Sequence, residues 1–336
     1  MKILILLLFV VSLNAAKYAG EFLKINPDVR SEALGGAGCA STNSFTSFRI
    51  NPSNILRDKH FEIYSQYSSL YGPIDNSLAY YHYIGINIPI NSLGSAVSLS
   101  WVRLGVEDIP YFPNYSDVER WKMIEANNGE PGNSSGDKYF TDREDAFFLT
   151  LAKSFNFTLD LGWDLFKLPI TLNSGLNVKY INISLADRTA DGLGFDGGIS
   201  LLIDLNTLSS LKNLNPLKLG FSVKDFNKTG ISWSDTAQDA IPISMVGGIE
   251  YTFSFRDIDT DITLLYDHNY ETETRTTSKN YGGEILYNDL IALRVGSDNG
   301  TLVFGGGLSY LGLYLGYSYS DRDLGIVNKA SLAYSF

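Results

Sequence analysis

The stretch Leu172–Tyr180, which reads LNSGLNVKY, shows the pattern that decides the fold. Apolar residues stand at positions 172, 176, 178 and 180, and the odd positions between them carry Asn, Gly or Lys. Successive side chains of a β-strand point to opposite faces, so this stretch predicts a strand with one apolar and one polar face. The same two-residue period recurs in residues 199–205, 217–224 and 258–267. Because it dominates over the helical period, the sequence predicts an all-β protein.

Alternating segments can be counted along most of the chain. Several are longer than eight residues, close to the roughly 9–11 residues with which a tilted strand crosses a membrane, and tyrosines near segment ends suit the two water–lipid boundaries. An even strand number is typical of single-chain bacterial barrels. The sequence therefore predicts an antiparallel, membrane-spanning β-barrel of about 14 strands in residues 58–336; a secreted β-sandwich or propeller is the alternative. The predicted strands are 59–70, 77–90, 95–105, 145–156, 169–185, 194–205, 216–226, 241–255, 258–270, 280–287, 290–297, 302–309, 312–320 and 329–336.

Composition narrows the range of functions. The 336 residues carry a formal net charge of −11 without a cluster of Lys and Arg, which argues against nucleic acid as a partner. One cysteine excludes a disulfide within the chain and a zinc site built from cysteines. After residue 16 no apolar run approaches the roughly 18 residues that a transmembrane helix needs.

The two ends of the chain carry targeting patterns. Residues 1–16 combine Lys2, an apolar run and a small-residue ending, which predicts a signal peptide with an uncertain cleavage site; a retained anchor or a buried strand is the alternative. The last segment alternates and ends in Tyr334-Ser335-Phe336, which resembles the signal read by the outer-membrane insertion machinery. We therefore expect a Gram-negative outer-membrane protein whose partners are membrane lipid and that machinery.

The N-terminal region carries a motif. It includes Phe22-Leu23, Arg30, the run Leu34-Gly35-Gly36-Ala37 and the pair Asn51-Pro52. This pattern resembles the PorV/PorQ family, related to the FadL-type outer-membrane transporters of hydrophobic compounds. The resemblance implies that residues 17–57 enter the barrel as a plug and that fourteen strands follow.

The motif also departs from the family pattern. Residues 41–45 lack the usual acidic residues, and Ser53-Asn54-Ile55 replaces the common Ala-Gly-Leu after Asn-Pro. Gly35 and Gly36 allow a sharp backbone turn, and Pro52 fixes a bend, which suits a plug. A flexible leader before the first strand is the alternative.

The resemblance implies a non-enzymatic function. We expect a passive uptake channel for hydrophobic small molecules; the alternative is an accessory of type IX protein secretion that holds or shuttles secreted cargo proteins. Residues 106–144 predict a long extracellular loop whose aromatic residues are candidate contacts for ligand or partner, although ordinary loop packing is an equal alternative. These candidates are Tyr111, Phe112, Tyr115 and Trp121.

The sequence shows no pattern for catalysis or cofactor binding. His60, His82 and His268 are scattered and have no spaced partner for catalysis or metal binding, so no catalytic residue, metal or cofactor is predicted, and a barrel hydrolase is the third hypothesis. Asp257, Asp259 and Asp261 alternate and could bind calcium, but a wet barrel face explains them as well. Glycine clusters at 247–248, 282–283 and 305–307 favour strand bending and close approach of a plug.

Overall fold

The computed structural model describes residues 20–26, 28–41, 45–56, 60–111, 121–122, 138–160, 162, 167–207 and 214–336. The predicted signal peptide, residues 1–16, lies outside this part of the chain. The strands are β1 (Glu62–Leu70), β2 (Ala79–Ile90), β3 (Ser95–Tyr111), β4 (Lys138–Asp160), β5 (Lys167–Leu185), β6 (Arg188–Ile203), β7 (Leu217–Lys224), β8 (Gly230–Trp233), β9 (Gln238–Ala240), β10 (Ser244–Phe255), β11 (Thr260–Glu271), β12 (Thr277–Tyr287), β13 (Ile291–Asp298), β14 (Thr301–Tyr310), β15 (Leu313–Arg322) and β16 (Gly325–Ser335).

Helical structure is short. The helix α1 (Val29–Ala33) is accompanied by 3-10 turns, and none of the described helices is long and apolar enough to cross a membrane. The 3-10 turns are Glu21–Lys24, Ser47–Arg49, Pro52–Ile55, Asn91–Leu93, Leu205–Thr207 and Arg256–Ile258.

The strands close into a barrel. Each barrel strand pairs antiparallel with its sequence neighbour, β1 also pairs with β16, and the pairing of β5 with β6 completes the ring. With β8 and β9 counted as continuations of β7 and β10, the ring has 14 strands, which confirms the predicted fold class. Each of the 14 strands of the ring is therefore paired on both sides, as a sheet that spans lipid requires.

The ring is interrupted at one place. Val223 on β7 pairs with Gly197 on β6, and Ile231 on β8 pairs with Gly192 on β6. The chain thus advances eight residues from β7 to β8 while its partner β6 advances only five. The neighbouring chain is broken at the same level, between Ala240 on β9 and Ser244 on β10. Residues 225–229 and 241–243 therefore form a break in the barrel wall, which we call the wall break. The short β8–β9 hairpin beyond it was absent from the sequence prediction because its two strands have only four and three residues.

The two faces of the wall have opposite character. On β5, Asn177 and Lys179 are buried inside the barrel, whereas Leu176 and Tyr180 are exposed on the outside. Apolar side chains are exposed along most other strands as well. An apolar outer surface around a polar interior is the arrangement that a membrane barrel requires, so the predicted two-residue pattern is confirmed.

The wall is taller on one side. Strands β3 to β6 have 17, 23, 19 and 16 residues, whereas β12 to β15 have between eight and 11. We call β3–β6 the tall wall. Its height shortens the predicted loop 106–144, because β3 continues to Tyr111 and β4 begins at Lys138. The prediction ended β3 too early because a register shift between Val106 and Ile109 breaks the alternation.

The acidic triplet differs from the prediction. Asp257 lies in the 3-10 turn between β10 and β11, and Asp259 follows that turn with a φ of 43°. The strand begins only at Thr260. The three carboxylates therefore do not share one strand face, and the prediction that placed them on one was wrong because a turn was read as alternation.

Candidate functional site: a cavity above the N-terminal segment

The described residues between 20 and 56, which we call the N-terminal segment, pack against the inner face of the barrel. Helix α1 contacts β13, β14, β15 and β16, and the turn Pro52–Ile55 contacts β3, β4, β5 and β6 on the opposite wall. Val29, Leu34 and Phe48 are fully buried. The segment thus spans the interior from one wall to the other.

Inward-facing glycines make room for this segment. A Cβ on Gly296 would lie 2.1 Å from the backbone nitrogen of Gly35, and one on Gly220 would lie 2.2 Å from the carbonyl oxygen of Cys39. Real Cβ atoms do not approach so closely, so the backbones can touch only because these positions are glycine. The other barrel glycines whose missing Cβ faces the segment at under 3.0 Å are Gly175, Gly198, Gly248, Gly282 and Gly305. Each of the three glycine clusters predicted from the sequence therefore contributes one glycine that contacts the segment.

A buried ionic cluster holds α1 to β12 and β13. The Arg30 guanidinium donates to both oxygens of Glu284, at 2.7 Å from Nη2 and 2.9 Å from Nε, and Arg294 donates to the same carboxylate. All three side chains are at most 6% exposed. Burial lowers the pKa of Arg30, but the charge of Glu284 and its hydrogen bonds outweigh this effect and raise it. The pair is therefore ionised inside the barrel.

A second cluster holds α1 to β15 and β16. The Glu32 carboxylate accepts from Lys329 Nζ at 2.8 Å and from Arg322 Nη2 at 2.9 Å, and Lys329 also donates to the Asn26 carbonyl at 2.6 Å. Burial raises the pKa of Glu32, but these two cations lower it by more, so the net direction is downward. Opposite charges on the segment and the wall thus hold Glu32 ionised.

Hydrogen bonds to the backbone fix the rest of the segment. One oxygen of Asp267 accepts from the backbone N–H groups of Gly38 and Cys39, both at 2.8 Å. Asn51 donates to the carbonyls of Cys39 and Ile199 at 2.8 and 2.9 Å. The side chain of Asn51 therefore links one part of the segment to another and to β6.

A cavity of about 1050 Å³ lies above the segment, at the end of the barrel away from the last strand residue Ser335. Part of its lining is apolar and comes from both the segment and the wall. These apolar residues are Phe22, Leu23, Leu70, Leu104, Phe148 and Ile241. A concave apolar surface of this size suits a small hydrophobic molecule.

The cavity floor also carries charges. Lys179 lies 2.7 Å from Asp196 and 2.8 Å from Asp225. Burial raises the pKa of Asp225, although Lys179 opposes that effect. Arg49 donates to the carbonyls of Leu23 and Ile25, so it fastens residues 23–25 to the deeper part of the segment.

The cavity reaches the wall break. Asp225, Ile241 and Pro242, which belong to the break, contribute to its lining. So do Met245 and Val246, neighbours on β10 that face opposite sides of the wall: Val246 is 2% exposed and Met245 is 36% exposed. A cavity lined by both faces of one strand extends into the wall at that point.

The predicted motif residues are distributed along the segment. Phe22 and Leu23 line the cavity, Arg30 binds Glu284, and the run 34–37 lies against β12 and β13. Asn51 and Pro52 lie against β5 and β6. The wall residues that bind the segment, such as Glu284 and Lys329, were missed, although a charged residue at an inward position of a strand was a usable signal.

The other predicted residues are placed as follows. Tyr111 ends β3, Trp121 is 66% exposed, and Phe112 and Tyr115 lie outside the described residues. Tyr334 faces outward on β16, and the backbone N–H of Phe336 donates to the carbonyl of Phe61. Their proposed roles stay predictions.

Comparisons with known proteins agree with the architecture. No protein-family model and no curated protein matches the chain. Among solved structures, the toluene transporter TodX of Pseudomonas putida is similar over 91% of this chain and 97% of that chain, with 12% identity and a TM-score of 0.51. The chain therefore shares the barrel fold of this transporter. The toluene transporter TbuX of Ralstonia pickettii is also similar, with 11% identity, a TM-score of 0.48 and coverage of 91% and 96% of the two chains.

Proposed function

We propose that this protein is a passive channel for the uptake of hydrophobic small molecules across the outer membrane of a Gram-negative cell. The observation that carries this proposal is the partly apolar cavity that extends into the wall break. Solved structures of the same fold are described as toluene transporters, which supports the substrate class. In this proposal transport follows the concentration gradient of the ligand.

The proposed path has three stages. A ligand is captured at the tall wall, with the predicted aromatic contacts Tyr111, Phe112, Tyr115 and Trp121 as its first partners. It then enters the cavity, below which the N-terminal segment acts as a plug. Because the segment touches opposite walls, the ligand leaves sideways through the wall break into the lipid.

The motif 20–52 further supports membership of the PorV/PorQ family. In this proposal, residues 1–16 direct export and are removed, and the last strand, with Tyr334 and Phe336, is read by the insertion machinery. Residues 17–57 form the plug and residues 58–336 form the barrel.

The sideways exit can be tested by narrowing it. Met245→Trp places a larger side chain where the cavity meets the wall break, whereas Ile249→Trp alters the same outward face of β10 outside the cavity lining. We expect Met245→Trp to lower the initial uptake rate of a radiolabelled aromatic hydrocarbon by cells that lack other such channels. Ile249→Trp should transport like the unmodified protein.

Two results decide the matter. The proposed channel function would be contradicted if cells with the protein took up aromatic hydrocarbons and fatty acids no faster than cells without it. Normal uptake by Met245→Trp would contradict the sideways exit alone. Barrel assembly is checked separately by the shift in gel mobility on heating.

The second candidate is an accessory of type IX secretion that binds or shuttles cargo proteins. The observation in its favour is that buried ion pairs fix the segment firmly, while the tall wall offers a surface beyond the shorter strands. Capture of secreted proteins bearing sorting domains, together with absence of uptake, would establish this alternative.

A further inference from the structure

A polar cluster lies on the outer face of the barrel, and only Glu107 among its residues also lines the cavity. Its residues share the outward side of β2, β3 and β4, and their strand registers place them in adjacent rows. All of them except Asp145 line a groove of about 310 Å³. We call this the outer-wall cluster, and it consists of Tyr80, His82, Trp101, Arg103, Glu107, Arg143 and Asp145.

The cluster lies where the outer surface changes from apolar to polar. On the side toward the chain ends, the outward positions carry exposed Ile84, Leu99 and Phe147. On the other side they carry Glu107, Thr141 and Arg143, which also line the groove. This change in side-chain character marks a boundary between hydrocarbon and headgroups.

The arginine at the centre is held in one orientation. Arg103 donates to both oxygens of Asp145, at 2.7 Å from Nε and 2.9 Å from Nη2, and its guanidinium lies 4.9 Å from the Trp101 ring centre. Trp101 Nε1 also donates to Asp145 at 2.9 Å. Although it faces outward, Asp145 is only 6% exposed. A carboxylate placed on a lipid-facing wall is costly, and here it serves to fix Arg103 and Trp101.

Among the residues that the structure describes, not all donors at the groove have a hydrogen-bond partner. Nη1 of Arg103 takes no part in the Asp145 pair, and the His82 ring packs between Tyr67 and Tyr80, 5.3 and 5.4 Å from their centres. The Glu107 carboxylate already accepts from Tyr80. Arg143 follows in the next row, across Gly105 from Tyr80.

We propose that the outer-wall cluster binds the phosphate of an anionic membrane lipid whose acyl chains lie along Ile84 and Phe147. Arginine binds phosphate through charge-assisted hydrogen bonds, and the aromatic rings suit the headgroup region. The carboxylates of Asp145 and Glu107 already accept from Arg103, Trp101 and Tyr80. Asp142 also lines the groove, but the alternation of β4 places it on the inward side. The remaining N–H groups of Arg103, His82 and Arg143 therefore face the lipid. This site is independent of the proposed transport.

Native mass spectrometry of the purified full chain in neutral detergent tests the proposal. The probes are a phosphatidic acid with two six-carbon chains, the phosphatidylcholine with the same chains, and inorganic phosphate. We expect the unmodified protein to bind phosphatidic acid about tenfold more tightly than phosphatidylcholine, since one or two charged hydrogen bonds suffice for that ratio. His82→Gln/Arg143→Gln should lose the preference.

Lys279→Gln is the matched control, because Lys279 is also an exposed, outward-facing cation on β12, across the barrel. It should keep the preference. Equal binding of both lipids by the unmodified protein overturns the proposal, as does an unchanged preference in the double variant. Displacement of phosphatidic acid by equimolar inorganic phosphate would show that the site takes free phosphate and not a lipid.

Discussion

Replacement of Glu284 by glutamine is expected to loosen the N-terminal segment far more than replacement of its partner Arg30. Glu284 is the shared acceptor of Arg30 and Arg294, so Glu284→Gln removes the carboxylate that both buried cations contact directly. Removing one partner of a buried ion pair costs about 3–5 kcal/mol. Arg30→Met should cost less, because Glu284 keeps Arg294.

The single cysteine provides the assay. Cys39 lies in the segment and is fully buried, and burial, with a contribution from Asp267, raises the pKa of its thiol. A maleimide can therefore react only when the segment opens. Suppose that the full cost of about 3–5 kcal/mol destabilises the closed state, in which the segment is packed against the wall. The fraction of molecules with an open segment, and with it the labelling rate, then rises roughly a hundredfold to a few thousandfold.

A matched exposed pair supplies the control. Arg188 and Asp235 are 41% and 50% exposed, and such pairs contribute about 0–1 kcal/mol. Arg188→Gln should leave Cys39 labelling unchanged. The reasoning fails if Glu284→Gln labels no faster than the unmodified protein, or if Arg30→Met accelerates labelling as much as Glu284→Gln does.

Two other predictions concern the same segment. Gly296→Ala should accelerate Cys39 labelling, because the new Cβ would lie 2.1 Å from the backbone of Gly35. Gly306→Ala should change the labelling rate little, because the nearest atom to its new Cβ would be 3.4 Å away. Equal effects of the two variants would contradict the close packing of the segment against the wall. Because the pKa of Glu32 is lowered in the folded protein, its contribution is complete above its ordinary value of 4.5 and is lost as the pH falls below that value. The protection factors for hydrogen exchange of residues 28–41, which compare the observed rate with the intrinsic rate at the same pH, should therefore fall on acidification below pH 4.5, and a Glu32→Gln variant that shows the same acid dependence would refute this.

The barrel was predictable because its two faces meet different surroundings. The alternation in segments such as 172–180 indicates an apolar outer face and a polar inner face. The character of the two faces does not depend on which strand lies beside the segment. The β8–β9 hairpin and the bulge after Val106 were not predictable in this way. Each depends on register, which a residue pattern shorter than a strand does not specify.

The site was predictable in part. The motif located Arg30 and Asn51, but not their partners on the wall, because Glu284 and Ile199 lie more than a hundred residues away in sequence. The wall break could not be predicted, since Asp225–Thr229 reads as an ordinary polar turn. Its significance comes from the interruption of the neighbouring strand at the same level.

Different parts of the N-terminal segment are held to the wall by different numbers of contacts. This difference determines which part can move most easily. Helix α1 is fixed by two ionic clusters on β12–β16, and Asn51–Ile55 is fixed on β5 and β6. Residues 20–26 lie over the cavity, where Lys24 pairs with Glu21 and with Glu271 on β11, and both Lys24 pairs are partly exposed. Arg49 and Lys329 bind the carbonyls of Ile25 and Asn26, and Phe22 is the buried side chain of this stretch. Regions with few buried contacts open at the lowest free energy. If the protein is the channel proposed above, movement that admits a ligand is therefore expected in residues 20–26, and the ion pairs of α1 would keep the deeper segment in place.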